Sequence, residues 1–438
     1  MAEWAFGDIE KPIFRYASTW MQDVEAAPQE STKDPLSGRV HILGLGNVGC
    51  FIAHSLASKQ SPPPITLLLH NWGVYHAFCR RKKSISIQYN GLDDVKSGFD
   101  AEVLSDGIWH EVLAGEGKEK EKHPENLLDQ PEDISTDVNN EHIECLIVAS
   151  KASIARTAIK AVRHRLTKDS SIVLVQNGMG VVDQLNQLFP DPEDRPNYVQ
   201  GVISHGLTRL ETFHIAHRGV GTMVFAPVIT EKTPPILAEE DTHWASTTKY
   251  ILRLLTLTPS LVATAETPAA LLQYQLEKLA VNCLINPLTA LNDCTNGELL
   301  YIYDFTRIMR LLLFEISTVI YALPELQGVP GVEERFSPER LRKFAVNVAS
   351  STSQNTSSML QDVRAGTETE IDFMNGWIVR RGEELGIKCT LNYMMRLLVK
   401  SKTIITERRG SASIPFDVTG FPSVKDSADQ ITTTQKAE

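Results

Sequence analysis

Short apolar runs and longer amphipathic stretches alternate along the first half of this chain. RVHIL (39–43), ITLLL (65–69), CLIVA (145–149) and IVLV (172–175) carry few polar residues, as strands buried on both faces of a sheet do. Helical periodicity follows the first run over 48–58 and separates the third from the fourth over 152–165. A further strand is expected over 198–204, and 213–227, with Gly219 and Gly221, reads as antiparallel hairpin material. Strands that alternate with helices predict a parallel, doubly wound sheet. After about residue 242 the pattern turns helical, with segments at 244–256, 268–291, 304–322, 338–351, 355–365, 370–385 and 392–406.

Four stretches break this rhythm. Residues 1–37 are polar and read as a disordered arm. Residues 115–142 are charged and poor in apolar positions, which predicts a partly disordered surface insertion. Residues 228–242 read as a linker, and 409–438, rich in Ser, Thr and Asp, as a disordered tail. The division expected is therefore an α/β domain over 38–230 and an all-α domain over 243–408.

Bulk properties narrow the partners. A chain of 438 residues holds two ordinary domains, and 42% hydrophobic with 22% charged residues is a globular composition. A net charge of −11 argues against nucleic acid as a partner, and no apolar run approaches the roughly 18 residues that span a bilayer. The amino terminus lacks a secretory layout, and its early acids (Glu3, Asp8, Glu10) suit a mitochondrial presequence poorly. The cytoplasm is the compartment expected, with mitochondria left open. Six scattered cysteines without a CxxC pair fit reduced thiols, and no metal site is expected.

The first chemistry lies in Gly44, Leu45, Gly46, Asn47, Val48 and Gly49, a GxGxxG that follows an apolar strand and opens a helix. That context identifies a Rossmann-like dinucleotide site, with pyrophosphate at the helix amino terminus. NAD sites usually place an acid after the second strand; here Leu69-His70-Asn71 has none, and Arg80, Arg81, Lys82 and Lys83 follow. The missing acid and nearby cations favour NADP, unless the basic run is a solvated turn. Lys151 and Asn177-Gly178-Met179-Gly180 stand at the carboxyl ends of two more strands, where ligands bind in such sheets.

The second chemistry lies in LEKLAVNCLINPLTALNDCTNGEL (276–299). Lys278, Asn282 and Asn286 are spaced by four, so they share one helical stripe in an otherwise apolar segment. They either reach solvent or line a polar cavity suited to a small anionic or carbonyl ligand. Asn355 and Ser358 are expected on one helix face, as ligand donors or as caps. Glu370 either closes a capping box with Thr367 or faces the cofactor.

GLGNVG (44–49), NGMG (177–180), KLAVNCLINPLTAL…NGEL (278–299) and NTSSMLQDVRAGTETEIDFMNG (355–376) together resemble ketopantoate reductase, in particular its larger fungal form. The resemblance implies NADPH-dependent reduction of 2-dehydropantoate to (R)-pantoate, in pantothenate and coenzyme A synthesis. It implies Lys278 as general acid, and Asn177, Asn282, Asn286, Asn296, Asn355 and Ser358 as substrate contacts. Gly44 to Gly49, Lys151, Asn177 and Glu370 would contact the cofactor, with Leu207 near another contact. Asn71 departs from the family's usual arginine for the 2′-phosphate, so Arg80–Lys83 or Lys151 compensates, or cofactor preference has changed. The partner expected is a small 2-ketoacid, with no nucleic acid or membrane, and a homodimer is compatible with the family. The alternatives are a related reductase of another 2-ketoacid and an NADP(H)-binding sensor without turnover.

Overall fold

The computed structural model describes residues 35–112, 136–229 and 244–412. β1 (Val40–Leu43) and β2 (Ile65–Leu69) are buried along their whole length, which is why both read as unbroken apolar runs. α1 (Asn47–Ala57) and α2 (Trp72–Arg80) follow them. Next come β3 (Ile85–Tyr89), β4 (Leu92–Lys96), β5 (Asp100–Ser105), β6 (Ile108–Val112) and β7 (Thr136–Val138). β8 (Cys145–Val148), α3 (Ala152–Val162), β9 (Ser171–Leu174), α4 (Val181–Leu188) and β10 (Asn197–Ile203) complete the winding, and β11 (Gly206–Glu211), β12 (His214–Gly219) and β13 (Met223–Pro227) follow.

The main sheet has ten strands in the order β14-β13-β10-β9-β8-β1-β2-β5-β6-β7, where β14 is Ala263–Ala265. From β10 to β5 every pairing is parallel, so the order reverses at β1 and places a ligand crevice at the carboxyl ends of β1 and β8. A second sheet, β11-β12-β3-β4, covers α1, and Phe51 of that helix shares a core with Ile85, Ile87, Phe213 and Ile215.

The helical lobe holds α6 (Pro268–Asn292), α7 (Tyr303–Ala322), α8 (Val332–Arg335), α9 (Pro338–Ser351), α10 (Ser358–Arg364), α11 (Asn375–Glu384) and α12 (Thr390–Ala412). α5 (Ser246–Thr256) stays with the sheet: Ile251, Leu252 and Leu255 pack with Val40, Ile42 and Val173, and Ser171 Oγ bonds the hydroxyls of Thr247 and Thr248. The change of character expected at 243 thus comes only after Ala265, because α5 and β14 cover and extend the sheet. Thr267 caps α6, accepting from the Ala270 N–H, with Pro268 at the first helical position.

Other boundaries move as well. Residues 1–34 of the expected arm, 113–135 of the insertion, 230–243 around the linker and 413–438 of the tail lie outside the described residues. Ser37 is tied to the Glu144 carboxylate, and α12 runs on to Ala412. The insertion's end belongs to the fold, because β7 pairs with β6 and Asn139 donates to Glu102. Arg165, fully buried, meets both oxygens of that carboxylate and also donates to the Glu141 carbonyl. The segment expected as one helix over 370–385 is a 3-10 turn, Ile371–Phe373, then α11, separated by Met374 in a non-helical conformation.

Removing one member of the buried Glu102–Arg165 pair strands the other charge. Arg165→Met is expected to lower unfolding free energy by about 3–5 kcal/mol, and Arg165→Met with Glu102→Leu to recover most of that. Urea denaturation of both variants checks it.

Candidate active site

The glycine turn between β1 and α1 is built for close approach. Gly44 has φ +95°, and a Cβ there would stand 2.3 Å from the Ser150 nitrogen. A Cβ on Gly49 would lie 2.0 Å from the Gly44 carbonyl oxygen, so only glycine lets α1 start against the turn. A Cβ on Gly46 would meet no atom within 4 Å: its space is open to a ligand. Asn47 donates to the Leu207 carbonyl, which fixes the β11 edge beside this turn.

Ser150 and Lys151 leave β8, Asn177 leaves β9 and Ile203 ends β10, all at the crevice end of the sheet. Against them comes the stripe of α6. Lys278 Nζ donates to Asn177 Oδ1 at 2.8 Å and to the Ile203 carbonyl at 2.7 Å. Asn177 in turn hydrogen-bonds Glu370, whose Oε1 accepts the Ala152 N–H at 2.8 Å, the first amide of α3. Burial draws the Lys278 pKa down to about 8, partly opposed by Glu370. Burial likewise raises the pKa of Glu370, against the hydrogen bond from Ala152. The capping alternative for Glu370 is therefore not what forms: its carboxylate reaches across to the other lobe.

The remaining candidates separate. Asn282 is partly buried one turn beyond Lys278, and Asn286 is buried with its amide at Met374 Sδ. Asn296 is buried, donates to Thr352 Oγ1 through Nδ2, and leaves Oδ1 with no partner among the described residues. Its backbone N–H bonds the Asn355 carbonyl, so Asn296 and Asn355 are neighbours. Asn355 and Ser358 do not share a helix face: α10 begins at Ser358 with Ser357 as its cap, and Asn355 lies in the preceding turn, both residues exposed.

The basic run begins at the far end of α2 from Asn71. Asn71 caps the amino terminus of α2, accepting the Val74 N–H, whereas Arg80 to Lys83 stand at its other end. Nine helical residues put Arg80 roughly 14 Å along the axis from Asn71, whereas the Lys83 ammonium reaches back to lie 5.8 Å from the Tyr75 ring. Arg81 is held by Glu211 and Ser86. Lys151 is also engaged, donating to Asp362 at 2.7 Å and to the Glu368 carbonyl. Asp362 and the Ile203 carbonyl were not singled out by sequence. A backbone carbonyl leaves no trace in residue type, and Asp362 meets Lys151 only through the packing of α10.

Residues 40–229 match the family model ketopantoate reductase PanE/ApbA, and 270–403 match ketopantoate reductase PanE/ApbA C terminal. A 2-dehydropantoate 2-reductase of Yersinia pestis is 31% identical over 268 residues, covering 61% of this chain and 77% of that one. The chain belongs to the ketopantoate reductase family. A probable 2-dehydropantoate 2-reductase of Schizosaccharomyces pombe is 29% identical over 384 residues, 86% of this chain and 100% of that one. A ketoisovalerate reductase of Beauveria bassiana is 26% identical over 405 residues, 82% of each. Among solved structures, a PanE/ApbA family ketopantoate reductase from Ralstonia eutropha JMP134 has a TM-score of 0.60 at 21% identity, over 84% of this chain and 99% of that one, a likeness of fold. Family membership makes the protein an oxidoreductase of 2-ketoacids.

Proposed function

We propose that this reductase converts 2-dehydropantoate to (R)-pantoate with NADPH, Lys278 donating the proton. The observation that carries the reading is the Lys278 ammonium, held by Asn177 and Ile203 at the crevice end of the sheet and drawn to a pKa of about 8. The open space over Gly46, at the amino terminus of α1, fits a pyrophosphate, and Gly44 to Gly49 would hold it. The bound dinucleotide supplies the hydride. Lys278 stabilises the negative charge that develops on the ketone oxygen and gives up its proton there. Its lowered pKa leaves it mostly protonated at neutral pH yet a stronger acid than an ordinary lysine. Asn282, Asn286, Asn296, Asn355 and Ser358 supply uncharged donors and acceptors for the ketoacid; the unpartnered Asn296 Oδ1 suits a substrate hydroxyl.

A second reading is supported by the ketoisovalerate reductase that matches over 82% of each chain: a branched 2-ketoacid without that hydroxyl would be the substrate. NADPH consumption with both acids separates them. Turnover of 2-dehydropantoate supports the first, turnover of ketoisovalerate alone the second, and binding without turnover a sensor.

Lys278→Ala is expected to lower kcat about 10²-fold. In the wild type, kcat for reduction should fall as pH rises through about 8, where the ammonium is lost. Oxidation of the hydroxyacid, which needs the neutral amine, should rise over the same range. Matching pH profiles in the two directions would remove Lys278 as the proton donor.

Gly46→Ala should leave the urea midpoint almost unchanged, because its Cβ meets nothing, while weakening NADPH binding at least ~10-fold. Fluorescence titration of the dinucleotide reads this directly.

Cofactor preference rests on the absence of an acid at Asn71, which leaves a 2′-phosphate unrepelled, and not on Arg80 at the far end of α2. Arg80→Ala should therefore leave the ratio of NADPH to NADH affinity unchanged. Asn71→Arg should raise that ratio while costing about 1 kcal/mol of stability through loss of the α2 cap.

A further inference from the structure

Between β10 and β11 the chain crosses from the large sheet to the small one, and this crossover touches both halves of the site. The Ile203 carbonyl accepts from Lys278, and the Leu207 carbonyl accepts from Asn47 of the glycine turn. Midway between them stands His205, buried, with three ties to three different segments. Its Nδ1 accepts the Gly221 N–H at 3.2 Å and lies 3.0 Å from His217 Nε2, while its Nε2 lies 2.9 Å from the Leu261 carbonyl.

These partners settle the proton positions. Nδ1 faces an N–H, so it is the unprotonated nitrogen, and Nε2 carries the hydrogen donated to Leu261. His217 must then donate from its own Nε2. Phe51 of α1 lies against both rings, with centroids 4.7 and 5.3 Å away. Burial lowers the pKa of both histidines, so the neutral pair is the resting form. Ser204 adds two ties to Thr222, its N–H donating to the carbonyl and its Oγ accepting the N–H. A Cβ on Gly221 would stand 2.4 Å from the Ser204 carbonyl carbon, so the crossover has no room to shift toward β13.

We infer that His205, braced by His217, is a positioning residue for Lys278: it holds the 203–207 crossover so that the Ile203 carbonyl stays on the ammonium. Neither histidine bonds Lys278 itself. The inference rests on the reading of Lys278 as proton donor.

His205→Phe keeps a flat aromatic ring, somewhat larger, and removes all three ties; His205→Asn keeps an acceptor near the Nδ1 position. In the ligand-free protein, pulsed acetylation followed by mass spectrometry of the Lys278 peptide gives the pH midpoint of that amine. With its carbonyl acceptor loosened, the charged form loses a stabilising bond, so the midpoint should fall by about half a unit or more in His205→Phe and less in His205→Asn. The second readout is a double-mutant cycle. His205→Phe should lower kcat at least ~10-fold alone, with KM little changed, and less than twofold in the Lys278→Ala background. A midpoint that stays or rises, or an equal loss of kcat in both backgrounds, overturns the inference. Wild-type turnover in Lys278→Ala would instead overturn the reading it rests on. Should His205→Phe fail to fold, His217→Leu, which removes one tie, takes its place in both measurements.

Discussion

The arrangement turns on one ammonium group held between two oxygens from the opposite lobe. Lys278 belongs to α6 of the helical lobe, yet both of its acceptors, Asn177 Oδ1 and the Ile203 carbonyl, belong to the sheet. Bringing it there strips away water. A pKa of about 8 against an ordinary 10.5 corresponds to a folding cost on the order of 3 kcal/mol. The sign is that of a charged form disfavoured in the folded state. The cost is fully present below about pH 8, shrinks as pH rises from there, and is gone above the unfolded pKa. It is tolerable because the fold on either side is fixed by other means. Phe373, a residue of the helical region, packs into the core made by Leu43, Val148 and Leu174, and its carbonyl accepts the Met179 N–H. Apolar burial and a backbone bond, and not the lysine, join the lobes at this point.

The helix that presents the lysine carries a defect that the rest of the lobe corrects. Pro287 sits inside α6 and has no N–H for the carbonyl four residues back. That carbonyl belongs to Cys283, and Asn375 Nδ2 occupies it at 3.0 Å while also donating to Asn392 Oδ1. Asn375 and Asn392 are fully buried, and Glu315 receives the Asn392 amide. Three helices therefore converge on the turn of α6 between Asn282 and Asn286. A polar stripe in an apolar helix needs this bracing, because side chains that face a cleft contribute little packing of their own.

The parallel strands were legible because burial on both faces leaves a plain apolar run, as at 65–69 and 145–149. The stripe of α6 was legible because a spacing of four maps directly to one face. β3 to β6 were not read, since strands with one exposed face and polar residues such as Leu92–Lys96 have a weak signal. The placement of α5 with the sheet could not be read from an amphipathic period, which shows that a face is buried and not against what. The sequence pattern places Asn355 in a helix because Ser357 as cap shifts the start by only a few residues. Proximity along the chain suggests a cofactor role for Arg80–Lys83, but α2 carries Arg80 away from Asn71, while Lys83 folds back over Tyr75.

The identity of residue 177 follows from what stands on either side of it. Its carbonyl oxygen takes the Lys278 proton donor, and it also hydrogen-bonds the buried carboxylate of Glu370. An ionised Asp would satisfy the lysine but set a second anion beside Glu370, raising the lysine pKa away from neutrality. A leucine of similar size would leave an ammonium and a carboxylate each short of a partner in a place with little water. Only a side chain that accepts at one atom and donates at another bridges the two. The Glu370 end is itself anchored on the first amide of α3, where the helix dipole favours negative charge. The ammonium and the Glu370 carboxyl group are thus kept apart by one amide, which leaves the ammonium with a proton free to be given up.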